Sequence, residues 1–587
     1  MFSLFKNLKA KDWLLIGLSV CLIVVQVWLE LKMPDYTAKL TTMIQSENAV
    51  MSEVWKNGGL MLACAGGSLV SAIICSILIS KVASSFSMTL REKLFKKISD
   101  FSEAEMKKFS VPSLITRTTN DVMRVQNFMA MGVQLIFKAP IMAIWAICKI
   151  SSTNIKWTVA VLISVLIIAI CVGVLVGICL PKFKKIQKLT DDINNVTREN
   201  ISGVRVVRAF NAENYQETKF ENVNKAITKN NLFTSRAMGF MFPIMTIVMN
   251  GLSLAIYWIG AIIINDIALS GPASITERIT TIGNMAAFSQ YAMQIVMSFM
   301  MLIMIFIILP RTLVSGKRIS EVLKTESSIV SKNNSSKSEI SGEIEFKNVS
   351  FAYPDSREDE MALKDISFKV SKGQTLAIIG STGSAKTTLI NLIPRFYDVS
   401  KGEVLVNGVN VKDYNEKDLR KKISVASQKA VLFKGSIKDN ITYGANYFDQ
   451  EKLNKSITIS HSKFIEKLED GVNSEVAQGG TNFSGGQKQR ISIARAVYKD
   501  AEIMIFDDTF SALDYKTDMQ VRKAIKKHLS DKTIIIVAQR IGTIKDSDQI
   551  LVLDEGKIVG KGTHSELLEK CKIYKEIALS QLSKEEL

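Results

Sequence analysis

Six long apolar stretches occupy the first half of the chain, and in the second half short β-rich runs alternate with helical segments. Each apolar stretch is long enough to cross a bilayer, which takes about 20 residues. The first stretch follows three lysines and has no small-residue cleavage site, which favours a retained span over a signal peptide. The pattern therefore predicts six membrane spans followed by an α/β domain. The spans cover approximately residues 13–31, 58–79, 128–150, 157–180, 240–264 and 282–309.

The connections between the spans differ in length and charge. Segments 81–127 and 181–237 are long and rich in Lys and Arg, whereas the other three connections are shorter and carry fewer basic residues. By the positive-inside rule, both termini, both long segments and the α/β domain lie in the cytoplasm.

The two long cytoplasmic segments carry apolar residues at helical spacing, notably at 90–98 and 190–226. We therefore expect the membrane helices to continue well below the bilayer. The spacing breaks at 110–113 and 211–214, which predicts short connecting helices near those points. The alternative is a pair of solvated helical hairpins.

Methionine is frequent in the fifth and sixth spans, where Asn284, Gln290 and Gln294 add polar groups at membrane depth. Methionine is flexible and polarisable, so a stripe of it suits surfaces that accept varied apolar ligands. Ordinary helix packing or lipid contact explains the stripe equally well. Intramembrane polar groups usually face a cavity, so we expect amphipathic cargo. The stripe consists of Met241, Met245, Met249, Met293, Met297, Met300, Met301 and Met304.

The net charge of +18 changes this picture little. Such a charge can indicate nucleic-acid binding. Here, however, the basic residues flank apolar runs, as they do on the cytoplasmic side of a membrane protein. We therefore expect a lipid bilayer as partner and no nucleic acid. The seven cysteines lie mostly inside apolar runs, which is typical of buried thiols in a reducing setting.

A polar, Ser- and Asn-rich segment at 326–341 lacks periodicity and separates the two halves. We therefore predict a transmembrane domain at 1–322, a linker at 323–341 and the α/β domain at 342–587.

A buried strand at 376–379 leads into a glycine-rich loop that matches the phosphate-binding pattern G-x-x-x-x-G-K-[ST], except that Ala385 replaces the last glycine. Its backbone N–H groups should wrap phosphates, with Lys386 on the β/γ oxygens and Thr387 on magnesium. An alanine methyl at this position crowds the nucleotide or strains the loop, which costs on the order of 1 kcal/mol. We expect nucleotide binding to survive this cost. The loop residues are Gly380, Ser381, Thr382, Gly383, Ser384, Ala385, Lys386, Thr387 and Thr388.

Two later features suit the same ligands. A glycine-rich turn, Ser484, Gly485, Gly486 and Gln487, opens a basic helical segment, and a helix start offers free N–H groups to phosphate. An apolar run at 503–506 ends in Asp507 and Asp508, and carboxylates at the end of a buried strand suit Mg²⁺.

In this order, the motifs resemble those of an ATP-binding cassette, with 484–487 as the signature motif and Asp507 as the Walker B aspartate. The resemblance implies ATP and Mg²⁺ as ligands. It also implies that Tyr353 stacks on adenine, that Gln428 is the Q-loop glutamine near magnesium, and that Asp514 lies in the D-loop. Segment 203–213 is similar to the second cytoplasmic loop of ABC exporters, so the two turning points are implied to be coupling helices.

The resemblance spans essentially the whole chain. The fold it implies is an α-helical six-span membrane domain with long cytoplasmic helical extensions, followed by an α/β P-loop ABC ATPase domain.

Two catalytic positions depart from the family pattern. Where most active ABC ATPases have a glutamate that polarises water, this chain has Asp508, which is shorter by one methylene. Where the family has a switch histidine, it has Gln539, which cannot shuttle a proton. The Walker side is thus altered at Ala385, Asp508 and Gln539, while the signature motif is intact.

ABC domains dimerise head to tail, so that each ATP lies between one chain's Walker motifs and the other chain's signature motif. The chain therefore resembles the degenerate-site subunit of heterodimeric bacterial ABC multidrug exporters, located in the cytoplasmic membrane. The partner is implied to supply a catalytic glutamate and a histidine. A slow homodimer, an ATP-binding regulatory subunit and a dedicated lipid or peptide exporter stay open as alternatives.

Overall fold

The computed structural model of the protein describes residues 2–6, 8–46, 50–151, 155–268, 275–331, 339–357 and 360–582. The chain forms two compact units. The first comprises Met1–Ser99 and Pro112–Thr325, and the second comprises Asp100–Val111 and Glu326–Leu587. A short segment from the first half of the chain, Asp100–Val111, thus belongs to the same unit as the second half.

Long helices make up the first half of the chain. Six of those in the described ranges are long and apolar enough to cross a membrane, which confirms the six predicted spans. In chain order the helices are α1 Phe2–Phe5, α2 Ala10–Gln45, α3 Met51–Ser99, α4 Glu103–Phe109, α5 Val111–Ser151, α6 Ile155–Ser202, α7 Val204–Ala209, α8 Glu213–Ile267 and α9 Ile275–Lys324. The six spanning helices are α2, α3, α5, α6, α8 and α9.

The spanning helices are longer than a bilayer requires. Helix α6 has 48 residues, and a rise of about 1.5 Å per residue makes it roughly 72 Å long. The hydrocarbon core of a bilayer is only about 30 Å thick. The helices therefore continue beyond the membrane, as the helical spacing of the cytoplasmic segments predicts.

An aromatic cluster packs the spanning helices together. The Trp157 ring meets Phe288 edge-on, with 4.7 Å between the ring centres, and Trp157 Nε1 donates a hydrogen bond of 3.1 Å to the carbonyl of Ile256. Tyr291 is fully buried in the same cluster. The buried indole N–H is therefore satisfied by a helix carbonyl, as a polar group in an apolar interior requires.

The methionine stripe divides into two parts. Met245 is buried, and Met241 and Met300 pack in the same cluster. Met293 and Met297 are about half exposed on the first unit. Helix packing thus accounts for only part of the stripe.

The short helices α4 and α7 lie where breaks in the helical spacing predict connecting helices. Helix α4 starts with a capping box, in which Ser102 Oγ accepts from the N–H of Ala104 and the Glu105 carboxylate accepts from the N–H of Ser102. Burial would raise the pKa of Glu105, but hydrogen bonds from Ser102 and Ser328 hold it below its ordinary value. Of the predicted linker, residues 332–338 lie outside the described part of the chain.

The second unit contains two main sheets. One is antiparallel, in the order β2-β1-β4-β5, and the other runs β12-β11-β3-β10-β9-β6, parallel except for β12. The small pair β7-β8 is separate. The strands are β1 Ile344–Phe351, β2 Leu363–Val370, β3 Thr375–Gly380, β4 Lys401–Val406, β5 Val409–Asn410, β6 Ile423–Ala426, β7 Gly435–Ser436, β8 Glu475–Val476, β9 Ile503–Asp507, β10 Thr533–Val537, β11 Gln549–Asp554 and β12 Lys557–Gly562.

Helices cover the mainly parallel sheet, whose central strands β3, β9 and β10 are almost wholly buried. The carboxyl ends of these three neighbours meet at one edge, where ligands bind in open α/β sheets. The helices are α10 Lys386–Asn391, α11 Glu416–Lys421, α12 Ile437–Ile441, α13 Gln450–Ile459, α14 Gly485–Tyr498, α15 Tyr515–His528, α16 Ile541–Ile544, α17 His564–Lys570 and α18 Lys572–Gln581.

Candidate nucleotide-binding site

The predicted phosphate loop joins β3 to α10 at this edge. Ala385, the residue just before the helix, has φ 71° and ψ 26°, in the left-handed region. A glycine adopts this conformation freely, whereas a Cβ there costs about 1–2 kcal/mol. The alanine therefore strains the loop backbone. Gly383, at φ 87°, forms a second left-handed turn without such a cost.

The Lys386 ammonium lies within the loop. Its Nζ donates hydrogen bonds to the carbonyls of Gly380 at 2.9 Å and Ser381 at 2.7 Å. Burial lowers the pKa of Lys386, and the nearby carboxylates of Asp508 and Asp507 oppose that shift. The loop thus holds a cation where nucleotide phosphates bind in loops of this type.

Thr387 and Asp507, two of the predicted metal ligands, are direct neighbours. The Thr387 hydroxyl lies 3.2 Å from each oxygen of the Asp507 carboxylate. The pKa of Asp507 is raised to about 6, mainly by burial and also by the nearby Asp508, although the Thr387 hydrogen bond and Lys386 lower it. Hydroxyl and carboxylate oxygens are the hard donors that Mg²⁺ takes.

No group of three or more His, Cys, Asp or Glu side chains forms a metal site in the described residues. A small number of protein ligands fits Mg²⁺, which keeps several waters and is otherwise bound by the phosphates of its nucleotide.

Asp508 is buried and accepts two amide hydrogen bonds on one carboxylate oxygen. The donors are Gln428 Nε2 at 3.2 Å and Gln539 Nε2 at 2.9 Å. The backbone N–H of Asp508 donates to the carbonyl of Val537 at 3.0 Å, which fixes the residue against β10. Asp508, Gln539 and the Q-loop glutamine Gln428, which the family resemblance also implies to take part in catalysis, thus form one hydrogen-bonded cluster. One of the two Asp508 carboxylate oxygens thus already accepts from two amide donors.

Helix α18 fixes the backbone of Gln539. The Gln581 amide donates to the carbonyl of Gln539 and accepts from the N–H of Ile541, both at 2.8 Å. Sequence reasoning missed Gln581, because no local pattern connects it to a residue 42 positions earlier in the chain.

Tyr353, the predicted adenine-stacking residue, lies beside the loop. Its hydroxyl shares a 2.8 Å hydrogen bond with Thr388 Oγ1, and its ring packs edge-on against Tyr397 with 5.4 Å between ring centres. The Lys107 ammonium of α4 lies 4.6 Å from the centre of the Tyr353 ring, a cation–π contact. The tyrosine therefore connects the loop with α4. In the sequence, nothing distinguishes Lys107 from the other lysines of its segment.

The signature turn is well formed and points to solvent. Ser484 caps α14, with its N–H donating to Gln487 Oε1 at 2.9 Å and its Oγ accepting from the N–H of Gln487 at 3.3 Å. Gly485 is exposed, and a Cβ there would meet nothing within 4 Å, whereas at Gly486 a Cβ would lie 3.2 Å from a carbonyl oxygen. No hydrogen bond described in the structure joins this turn to the phosphate loop.

A buried glutamine nevertheless connects the signature helix to the Q-loop. Gln489 Nε2 donates a 2.9 Å hydrogen bond to the carbonyl of Gln428. Sequence reasoning missed this contact, since Gln489 follows the recognised motif.

Asp514 caps helix α15. Its side chain accepts a hydrogen bond of 2.9 Å from the N–H of Thr517, and this bond lowers the pKa of Asp514. The residue thus has a structural partner in its own chain besides the predicted D-loop role.

The predicted site residues fall into two groups. The loop residues, Tyr353, Gln428, Asp507, Asp508 and Gln539 lie around the end of the parallel sheet. The second group consists of residues 484–487 and Asp514. The hydrogen bonds described for their side chains join residues only three positions apart in the sequence.

Comparison with known proteins supports the division of the chain into a membrane-spanning half and an α/β half. Residues 16–299 match the family model of the ABC transporter transmembrane region, and residues 363–511 match the ABC transporter model. An uncharacterised ABC transporter ATP-binding protein of Mycobacterium bovis is 38% identical over 530 residues, covering 89% of this chain and 88% of its own. The chain belongs to the ABC transporter family. In this ABC transporter, the ATPase domain binds nucleotide and couples ATP hydrolysis to transport.

Other relatives cover similar lengths of this ABC transporter. An uncharacterised ABC transporter ATP-binding protein of Bacillus subtilis is 33% identical over 577 residues, covering 97% of both chains. The ATP-dependent lipid A-core flippase of Desulfotalea psychrophila is 32% identical over 507 residues, covering 84% of both. The fold matches a bacterial Atm1-family ABC exporter solved with ATP bound, with a TM-score of 0.78 and 22% identity over 98% of this chain and all of that one.

Proposed function

We propose that this ABC exporter chain is one half of a heterodimer in the bacterial cytoplasmic membrane that exports amphipathic or hydrophobic small molecules. Its own Walker-side site hydrolyses ATP weakly, and its signature turn completes the partner's catalytic site. The observation that carries the proposal is the Asp508–Gln539 hydrogen bond, which joins the two residues that depart from the family pattern.

Both departures weaken the activation of water. An aspartate carboxylate ends about one methylene short of a glutamate, and a misplacement of about 1 Å can lower a rate by roughly 10²-fold. Gln539 has no titratable group, so it cannot transfer a proton. One of the two Asp508 carboxylate oxygens also accepts hydrogen bonds from the side-chain amides of Gln428 and Gln539. These features favour a site that holds ATP and turns it over slowly.

The residues that bind nucleotide are retained. Lys386 and the loop N–H groups suit the phosphates, and Tyr353 suits the base. Thr387, Asp507 and Gln428 would hold Mg²⁺, which supplies neutralisation of phosphate charge when it is bound with ATP. The strain at Ala385 lowers affinity without removing these groups.

The exposed signature turn supports a second subunit. Ser484, Gly485 and Gly486 form an intact anion-binding helix start, and their described hydrogen bonds do not involve the chain's own phosphate loop. In a head-to-tail dimer, this turn faces ATP on the partner. The partner then supplies the catalytic glutamate and the switch histidine that this chain lacks.

The half-exposed methionines Met293 and Met297 favour amphipathic cargo. A dedicated lipid exporter is the second candidate, because the chain is 32% identical to a lipid A-core flippase over 84% of its length. Lipids are themselves amphipathic, so the two candidates differ in specificity and not in mechanism.

The full-length chain, alone and co-purified with a candidate partner that carries the glutamate and histidine, tests the proposal in vesicles. We expect the chain alone to turn over ATP at least about 10²-fold more slowly than the complex. Cargo should stimulate hydrolysis only in the complex. A partner variant with glutamine for its glutamate is the control and should be inactive. Rapid hydrolysis and transport by the chain alone would refute the heterodimer, and a complex that does neither would indicate a regulatory subunit.

A further inference from the structure

A cavity of about 70 Å³ lies between the first three spanning helices of the membrane unit. Its polar lining side chains are Gln26 of α2, Ser76 of α3, and Gln134 and Lys138 of α5. All four fall inside apolar stretches that the sequence predicts to cross the bilayer. We call this feature the polar cavity.

A charged residue in the bilayer is costly. Charged side chains inside spanning helices are rare, and they usually pair with one another and mark substrate or ion pathways. Lys138 Nζ donates a 2.9 Å hydrogen bond to Glu30 Oε1, and both side chains are mostly buried. Apolar residues at both positions would fill a helix interface at lower cost.

Glu30 has further donors and lies behind the lining of the polar cavity. Its Oε1 also accepts from Gln26 Nε2 at 2.9 Å and from Ser68 Oγ at 3.2 Å. The carboxylate therefore keeps two neutral donors when it loses its lysine. The Lys138 side chain lines the cavity itself. Among the described residues, its ammonium donates to the Glu30 carboxylate. An ammonium has three donors, so Lys138 can exchange Glu30 for an anion in the cavity.

A second ion pair on the same helices provides a comparison. Lys149 Nζ lies 2.8 Å from Asp35 Oδ2, and Asp35 also accepts a hydrogen bond from the Tyr291 hydroxyl. Neither Lys149 nor Asp35 lines the polar cavity. This pair joins helices, whereas the Glu30–Lys138 pair joins helices and also presents a cation to a cavity.

We propose that the polar cavity binds the anionic group, a carboxylate or phosphate, of an amphipathic cargo molecule. Lys138 is its charged partner, and Glu30 is the internal anion that the cargo replaces. The lining carries donor groups of the kind that an anion needs: an ammonium, two amides and a hydroxyl. Each amide already donates one hydrogen bond, Gln26 to Glu30 and Gln134 to Ser76, and an amide has a second N–H to donate. The inference rests on the proposed export function and narrows its cargo to anionic amphiphiles.

The size of the cavity supports this assignment. A water molecule occupies about 30 Å³ of liquid, so 70 Å³ holds a small charged group but not a whole amphiphile. The apolar part of the cargo then lies along the spanning helices, beside apolar lining residues such as Ile23 and Ala72.

Binding to the nucleotide-free, full-length protein in detergent tests the inference. The probes are dodecyl phosphate, dodecyltrimethylammonium and inorganic phosphate, and the measurement is saturable thermal stabilisation. We expect dodecyl phosphate to bind at least about tenfold more tightly than either other probe, because hydrogen bonds to charged groups are stronger than those between neutral groups. Equal binding of the two amphiphiles would overturn the inference. Equal binding of inorganic phosphate would refute an amphiphile as the ligand. This comparison needs no variant.

Three variants separate a binding role from a structural one. Lys138→Gln should weaken dodecyl phosphate binding by about tenfold or more, and Lys138→Arg should largely retain it. Glu30→Gln should strengthen binding several-fold, because the competing internal anion is removed. A merely structural ion pair predicts the same loss in both glutamine variants, and that result would overturn the inference.

Lys149→Gln is the matched control, since it breaks an ion pair on the same helix away from the polar cavity. It should leave dodecyl phosphate binding unchanged, and an effect equal to that of Lys138→Gln would refute the assignment. Because binding is measured without ATP, this experiment tests the anion site independently of the proposed export function. Transport of anionic amphiphiles that is insensitive to Lys138→Gln would support the exporter and overturn the site.

Discussion

The Gln539 side-chain amide donates a 2.9 Å hydrogen bond to the Asp508 carboxylate, so the two residues that replace the family's glutamate and histidine are direct partners. Substitutions at hydrogen-bonded neighbours are usually coupled by about 0.5–3 kcal/mol. The two departures are therefore expected to act together and not as independent losses.

Restoring the glutamate alone should have a modest effect. Asp508→Glu is expected to raise the ATP turnover of the complex only slightly, because Gln539 still cannot transfer a proton. The increase in ATP turnover of the Asp508→Glu, Gln539→His double variant should exceed the sum of the increases of the two single variants. Steady-state phosphate release measures this. Asp508→Asn is the control and should change turnover little. Full turnover of an Asp508→Glu homodimer would contradict the proposed pairing.

The signature turn should serve a site outside its own chain's phosphate loop. Gly485→Leu is expected to abolish nearly all hydrolysis by the complex while leaving the fold intact, because a Cβ at this exposed position meets nothing within 4 Å. ATP turnover and thermal unfolding, measured in parallel, distinguish the two effects. Unchanged turnover would refute the assignment.

The cap at Ser484 permits a matched comparison. Ser436 caps α12 through a capping box like that of Ser484. Replacing either serine with alanine should lower stability by about 1 kcal/mol. Only Ser484→Ala should also lower turnover, since Ser436 belongs to no predicted nucleotide contact. Equal turnover of the two variants would show that Ser484 acts only as a helix cap.

Relieving the loop strain should stabilise the ATPase unit. Ala385→Gly is expected to raise its free energy of unfolding by about 1 kcal/mol, because φ 71° is unfavourable for any residue with a Cβ. Nucleotide affinity should rise as well. Denaturant unfolding and nucleotide titration measure the two effects. Ala426→Gly, at the buried last residue of β6, is the control and should destabilise the unit. A loss of stability in Ala385→Gly would disprove the strain.

Lys107 is expected to support base recognition. Lys107→Met removes the cation 4.6 Å from the Tyr353 ring and should weaken ATP binding by roughly two- to fivefold, as a cation–π contact of about 0.5–1 kcal/mol implies. Binding of tripolyphosphate, which has no base, should not change. Lys108→Met is the matched control, since that ammonium lies 6.0 Å from the Phe109 ring instead. An equal loss of affinity for ATP and for tripolyphosphate would rule out a role of Lys107 in recognition of the base.

The sequence predicts features that depend on local pattern. Six spans follow from apolar length, and the loop at 380–388 follows from its glycine and lysine spacing. The contacts of Gln581 and Gln489 could not be predicted, because each joins segments that only the folded sheet brings together. The Glu30–Lys138 pair was missed for another reason: an apolar stretch tolerates single charged residues, so they do not alter its identification as a span.

The hydrogen bond from Gln489 to the Gln428 carbonyl has a mechanical consequence for the proposed dimer. Gln489 lies on the helix whose N-terminal turn is proposed to contact the partner's ATP, and Gln428 is predicted to lie near the ATP bound by its own chain. One buried amide thus couples two nucleotides bound at opposite ends of the paired domains. In such a dimer, loss of one nucleotide would therefore be expected to disturb the other site through contacts inside the ATPase domain.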